Sequence, residues 1–346
     1  MSRPPLVSRI RNRLREHLRR RRFAASVEHL HGPRKLDVAP GEVVLIALVK
    51  DGGYYLDAFF DYYRGLGIRH FVFFDNGSTD DSIARIRAEP GTVIDRSPLP
   101  LAGYEDLIRQ YPATTYGAGR WCLYVDMDEV FDFEGRETIG LAGLLRYLER
   151  EGATGFAAQM LEMFPRAPLS AVAEMPFAEA LQAFAHYDIS VLRRFGYHSP
   201  EIPFSALLEG NSLTGPGPDF LFGGVRGKVF GENCCLTKHP LIFNGPGVTP
   251  APHPHLSMGL RVADVTGVIK HYKFTNNPVA RDRASRATGS VAHGEDAARV
   301  DVLNRQPDVT LWSDAAQTWE GIAPLYEAGF LMRSDRYSDF VAGQGA

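Results

Sequence analysis

Residues 120–133 read RWCLYVDMDEVFDF, and the class of fold turns on how this stretch is taken. Trp121 to Val125 is a short apolar run suited to a buried strand, and it stops abruptly at Asp126, Asp128, Glu129 and Asp132. Carboxylates gathered at the end of a buried strand are costly unless a cation, a proton or a hydrogen-bond set compensates them. In α/β proteins the carboxyl ends of strands are also where ligands bind. The plain alternative is a solvated strand-to-loop turn. In extended backbone Asp126 and Asp128, two residues apart, point to the same side. Such a pair of hard oxygen donors suits Mg²⁺ or Mn²⁺ shared with substrate phosphates.

Working upstream, the pattern is regular from Pro40. Val43 to Val49 (VVLIALV) is a continuous apolar run fit for a central parallel strand, and Lys50-Asp51-Gly52-Gly53 ends it. Tyr54 to Leu66 reads as an amphipathic helix stopped by Gly67. Ile68 to Phe74 is a second strand, closing in the turn Asp75-Asn76-Gly77-Ser78-Thr79-Asp80-Asp81. Asp75 at a strand end has two readings, a ligand-contacting carboxylate or an Asx-rich turn. Thr92 to Asp95 is a third strand, and Leu101 to Gln110 reads as a helix. This strand–helix alternation predicts a mostly parallel central sheet flanked by helices. Downstream, Thr138 to Arg150 reads as a helix and Gly155 to Phe164 as a strand. From Pro165 to about Pro254 periodicity fades and Gly and Pro accumulate, the pattern of an irregular substrate-side region. Val268 to Phe274 returns as a strand, and Arg281 to Arg305 reads as an exposed helix.

Charge is unevenly distributed. The net charge of −3 over 346 residues combines about +9 in residues 1–35 with about −12 in the remainder. The body is therefore no nucleic-acid binder by charge. Residues 8–30 place Ile10, Leu14, Leu18 and Phe23 at near-helical spacing among arginines. That is the pattern of a basic amphipathic helix on an anionic membrane surface, or of a solvated arm. Three cysteines, Cys122, Cys234 and Cys235, give neither a disulfide framework nor zinc spacing. With no apolar run long enough to span a bilayer and no secretory signal, the expected location is cytoplasmic, with peripheral contact on the inner membrane face as an option.

Three segments together resemble family 2 glycosyltransferases, in particular a bacterial branch. They are Val49-Lys50-Asp51-Gly52, the Phe73-Phe74-Asp75-Asn76-Gly77-Ser78-Thr79-Asp80 turn, and Val125-Asp126-Met127-Asp128-Glu129. The likeness covers residues 43–134, with looser echoes at Gly223-Gly224-Val225-Arg226, Lys238-His239-Pro240-Leu241 and His271-Tyr272-Lys273-Phe274. It implies a GT-A fold that binds a nucleotide-diphosphate sugar and transfers the sugar to a glycan, lipid or other hydroxyl acceptor. By that resemblance Asp51 and Asp75 would contact the nucleoside and Asp126 the diphosphate, while Lys50, Asn76, Arg226 and Lys238 are further donor-contact candidates by residue type, with surface charge as the plain alternative for the cations. Asp126, Asp128 and His271 would hold Mn²⁺ or Mg²⁺. The chain departs from the pattern at Gly52-Gly53, where a Glu commonly follows. The domain plan is a basic arm (1–38), a transferase domain (39–275, with the nucleotide half at about 39–135 and the acceptor half at about 136–275) and a helical C-terminal extension (276–346).

An inverting transferase needs a base within reach of the acceptor hydroxyl. Asp128, Glu209, Asp219 and Glu232 are candidates for the catalytic carboxylate, with His253 and His255 behind them. Two rival functions stay open. Leu123 to Val130 also satisfies the D-x-D-x-[TV] motif of haloacid-dehalogenase-like phosphatases, with Asp126 as nucleophile and Asp128 as acid/base, although that strand normally opens its fold. A non-catalytic nucleotide- or carbohydrate-binding protein is the other.

Overall fold

The computed structural model describes residues 6–281, 283, 295–306 and 308–344. Ten strands form one sheet: β1 (Glu28–His31), β2 (Val43–Val49), β3 (His70–Asp75), β4 (Thr92–Arg96), β5 (Trp121–Tyr124), β6 (Glu129–Asp132), β7 (Gly155–Glu162), β8 (Ser212–Leu213), β9 (Thr237–Phe243) and β10 (Arg261–His271). Their spatial order is β1-β4-β3-β2-β5-β9-β7-β10-β8, with β6 antiparallel to the end of β10. β4, β3, β2 and β5 run parallel, as do β7, β10 and β8. The fold is thus mixed α/β around a large, mostly parallel sheet. β2 is buried nearly throughout because helices cover both of its faces, and a continuous Val/Leu/Ile run suits that position.

The order β4-β3-β2-β5 reverses direction between β2 and β5. Sheet topology of this kind leaves a crevice beyond the carboxyl ends of the two strands at the reversal. Lys50 and Asp51 follow β2, and Asp126 to Asp128 follow β5, so both acidic segments reach that crevice. Helices α2 (Leu56–Gly65), α3 (Ser82–Ala88) and α4 (Glu105–Tyr116) connect the first four parallel strands. α4 begins and ends later than the apolar pattern predicts and runs through Pro112, which gives up one amide hydrogen bond but is itself buried.

Two segments depart from the sequence reading. Within the stretch read as irregular, Thr237–Phe243 (TKHPLIF) is a strand at the middle of the sheet, antiparallel between β5 and β7. Lys, His and Pro hide it from a hydrophobic-periodicity reading. Pro240 falls where the β9–β7 register shifts, between Lys238 and Leu241, the irregularity at which a sheet tolerates proline. At the other end, residues 28–31 of the predicted arm pair with β4, so part of the arm belongs to the sheet. Helix α1 (Leu6–Ser26) precedes them.

The C-terminal segment also packs onto the domain. Of the helix expected over 281–305, residues 282 and 284–294 lie outside the described residues, and Glu295–Arg305 is helical. Thr266 in β10 exchanges backbone and side-chain hydrogen bonds with Met332, and Asp264 accepts from Tyr147 Oη (2.8 Å), Ser334 Oγ (2.6 Å) and Arg336 Nη2 (2.7 Å). Burial pushes the Asp264 carboxyl up, but the Ser334, Tyr147 and Arg336 donors outweigh it and hold it below the ordinary 3.8. A depressed folded value means that this stabilisation is present above 3.8 and is lost as pH falls through the lower folded value. Asp264→Asn is expected to lower stability at pH 7 by about 1–3 kcal/mol and to flatten the acid limb. Urea unfolding at neutral and acidic pH checks this; an unchanged acid limb refutes it.

Candidate functional site

The loops after β2 and β3 clasp each other. Asp51 has a left-handed backbone (φ 51°), and its Oδ1 accepts the amides of Thr79 (2.6 Å) and Asp80 (3.2 Å). Asp80 in turn accepts the Gly53 amide at 3.1 Å. A Cβ at Gly53 would lie 2.8 Å from an Asp81 carboxylate oxygen and 3.0 Å from one of Asp80. A side chain at Gly53 would have to displace these carboxylates, one of which accepts the Gly53 amide. Asp75 is fully buried, ion-paired to Arg96 at 2.6 Å, and accepts the Gly77 and Ser78 amides. It holds the turn and does not line the crevice. Asn76 borders the crevice, yet its amide donates to the carbonyls of Ser97 and Leu99.

The crevice is a cavity of about 470 Å³. Among the described residues its wall carries Asp51, Asp126, Asp128 and Glu129 against Lys50, Arg109, Arg226, Lys238, Lys273 and Arg281. Counting lysines and arginines alone, six cations face four carboxylates, which favours an anionic ligand.

The carboxylate cluster is compensated from within. Lys238 in β9 places Nζ 2.6 Å from Glu129 Oε1 and 3.3 Å from Asp126 Oδ2. Arg109 in α4 lies 3.7 Å from Asp126 on another side, and the Asp126 amide donates to Glu129 Oε2 at 2.9 Å. Burial pushes the Asp126 carboxyl up, but Lys238 and Arg109 hold it at about 2. For Glu129, fully enclosed, burial prevails over Lys238 and raises the carboxyl.

Asp128 belongs to a second chain of charges. His271, at the end of β10, stands opposite Glu129 of β6 and Glu162 of β7. Its Nε2 lies 3.5 Å from Asp128 Oδ2 and its Nδ1 2.9 Å from Glu162 Oε1. Burial alone would lower the imidazole, but Glu162 and Asp128 raise it to about 9, so it is an imidazolium at neutral pH. Arg226 in α5 (Gly224–Phe230) bridges Glu162 to Glu232, and Arg299 closes on Glu232 at 2.6 Å. Glu232 is therefore doubly paired with arginines and has no role as a free base. Glu209 and Asp219 are exposed and lie off the cavity. His253 lines a neighbouring groove instead.

His255 alone among the five base candidates other than Asp128 lines the cavity. Its Nδ1 is 3.1 Å from the Thr237 carbonyl. A carbonyl only accepts, so Nδ1 carries the proton and Nε2 is left as an acceptor. Burial, then Lys238, holds the ring well below the usual imidazole range, so it is neutral.

Arg109, Glu162, Lys273, Arg281 and Arg299 carry the site's charge balance without having been singled out in the sequence. Lys273 alone had a signal, sitting in the HYKF segment. Among the described residues no group of three or more His, Cys, Asp or Glu side chains has metal-holding geometry. Asp126 faces Lys238 and Arg109, which leaves Asp128 as the carboxylate beside His271, whose Nε2 becomes an ion donor only on losing its proton.

No family matches the chain, and no curated protein does. Among solved structures it is similar to the crystal structure of S. aureus TarS 1-349, with 12% identity and a TM-score of 0.27. The match spans 36% of this chain and 35% of that one, about a third of each, and an overlap of that depth assigns neither fold nor activity.

Proposed function

We propose that the chain is a GT-A-type glycosyltransferase that takes a sugar from a nucleotide-diphosphate donor to a hydroxyl acceptor. The observation that carries this reading is the cavity at the β2/β5 reversal, where strand-end carboxylates face six cations. A nucleotide-diphosphate sugar offers matching groups: hydroxyls for acceptors such as Asp51, and a diphosphate for Lys238, Arg109, Lys273 and Arg281.

Asp128 would hold a Mg²⁺ or Mn²⁺, joined by His271 only once its Nε2 gives up its proton, and such ions keep few protein ligands at phosphate sites. When bound, the ion supplies charge neutralisation for the departing diphosphate. Asp126 serves differently from the sequence expectation: it orients Lys238 and Arg109 toward the same leaving group. His255 Nε2 is the acceptor that would take the proton from the attacking hydroxyl. An anionic donor beside Lys238 offsets that lysine's repulsion and raises the basicity of the ring.

The phosphatase alternative asks Asp128 to deliver a proton. Burial opposes its ionisation, but His271 overrides that and keeps the carboxyl far below the ordinary range, so the acid has no proton to give. Calorimetry with UDP and GDP, with and without Mn²⁺, tests the proposal. Wild type is expected to bind a nucleoside diphosphate more tightly with the ion, and Asp128→Ala to lose at least about tenfold of that affinity. Binding of neither nucleotide, or hydrolysis of phosphomonoesters abolished by Asp126→Asn, would falsify it.

A further inference from the structure

Helix α1 lies on the domain by one face. Arg19 donates to both carboxylate oxygens of Asp106, each at 2.7 Å, and to the Gly103 carbonyl at 2.9 Å. Phe23, one turn on, is buried between the rings of Phe74 and Tyr111. Leu14 and Leu18 are also one turn apart, but they are 57% and 55% exposed. At 3.6 residues per turn their stripe stands about 140° around the helix from the Arg19–Phe23 face, so it points away from the protein. Arg11, Arg15, Arg21 and Arg22 are exposed around it. The one acidic residue of the helix, Glu16, is bound to Arg19 and Arg20.

We propose that this outward face rests on an anionic lipid bilayer, with Leu14 and Leu18 entering the headgroup–acyl boundary and the arginines meeting lipid phosphates. A basic helix face with an apolar stripe has that affinity. A nucleic acid would use the arginines but gain nothing from two leucines set among them. The remainder of the chain is about −12, so attraction to an anionic surface is confined to this end.

The attachment also places the cavity. Asp106, which holds Arg19, is in the same helix as Arg109 of the cavity wall. Leu101 and Pro254 line both the cavity and the groove that contains Arg19 and Asp106. The cavity therefore lies beside the membrane-facing helix. In the part that rests on the transferase reading, an acceptor hydroxyl carried on a lipid reaches the site without leaving the surface.

Co-sedimentation of the full chain with phosphatidylcholine vesicles, and with mixed phosphatidylcholine–phosphatidylglycerol vesicles, is the test. Wild type is expected to bind the mixed vesicles preferentially, and less as salt rises. The triple variant Arg11→Gln, Arg15→Gln, Arg22→Gln is expected to bind about a hundredfold more weakly. The double variant Leu14→Asn, Leu18→Asn should lose at least about tenfold. Binding unchanged in both variants, or no preference for the anionic vesicles, overturns the proposal. Binding to duplex DNA without vesicle binding, insensitive to the leucine changes, overturns it in favour of nucleic acid. These exposed substitutions should leave the thermal midpoint and the UDP and GDP affinities in free solution at wild-type values. A failure here is thereby distinguishable from a failure of the transferase reading.

Discussion

Lys238→Met is expected to lower the free energy of unfolding by about 3–5 kcal/mol, the cost of breaking a buried ion pair from one side. The lysine is 4% exposed and Glu129 1% exposed. Without the ammonium, Glu129 and Asp126 would keep two negative charges at the end of β5, opposed by Arg109 and, at Glu129, more distantly by His271. Methionine fills the stem volume, so the loss would be electrostatic and not a cavity effect. Urea unfolding at pH 7 measures it. The pair variant Lys238→Met, Glu129→Gln should recover most of the loss, because removing both charges leaves little buried charge to compensate. The single variant should also gain relative stability on acidification. Burial already raises Glu129, and protonating it removes the unpaired charge. A single-variant cost below about 1 kcal/mol would show that water reaches this cluster and screens it.

On the transferase reading, His255→Gln is expected to lower kcat by about 10²–10⁴, the usual contribution of a positioned general base. Nucleotide affinity should change little. Glutamine can still donate to the Thr237 carbonyl, so the variant preserves the local hydrogen bond while removing the basic Nε2. Hydrolysis of a nucleotide-sugar donor provides a readout that needs no acceptor. The acid limb of kcat/KM, which reports the free enzyme, should lie below pH 6.5 because burial and Lys238 depress the ring. The limb of kcat should lie higher, since the bound diphosphate offsets Lys238. His253→Gln, altered in the neighbouring groove, should turn over as wild type does. Wild-type turnover by His255→Gln would remove the histidine from the reaction.

The chain itself determined the parallel half of the sheet. β2 and the Phe71–Phe74 run of β3 are continuously apolar and are closed by turns rich in Gly, Asn and Asp, and both signals are local. The acidic cluster after β5 was legible for the same reason, as was its place at strand ends where ligands bind. What compensates those carboxylates was not legible. Lys238 reaches Glu129 across 109 residues, from a strand that its own Lys, His and Pro disguise as loop. Arg109 carries no sequence mark at all. Likewise the sequence left Asp75 between a ligand contact and an Asx turn and Glu232 as a base candidate, yet Arg96 holds the first and Arg226 with Arg299 the second. For a charged side chain, residue type states only that it needs water or a partner. Which of the two it receives depends on the sheet order that brings β9 between β5 and β7, so the tertiary structure alone decided that the carboxylates of RWCLYVDMDEVFDF end paired with cations along one wall of the crevice.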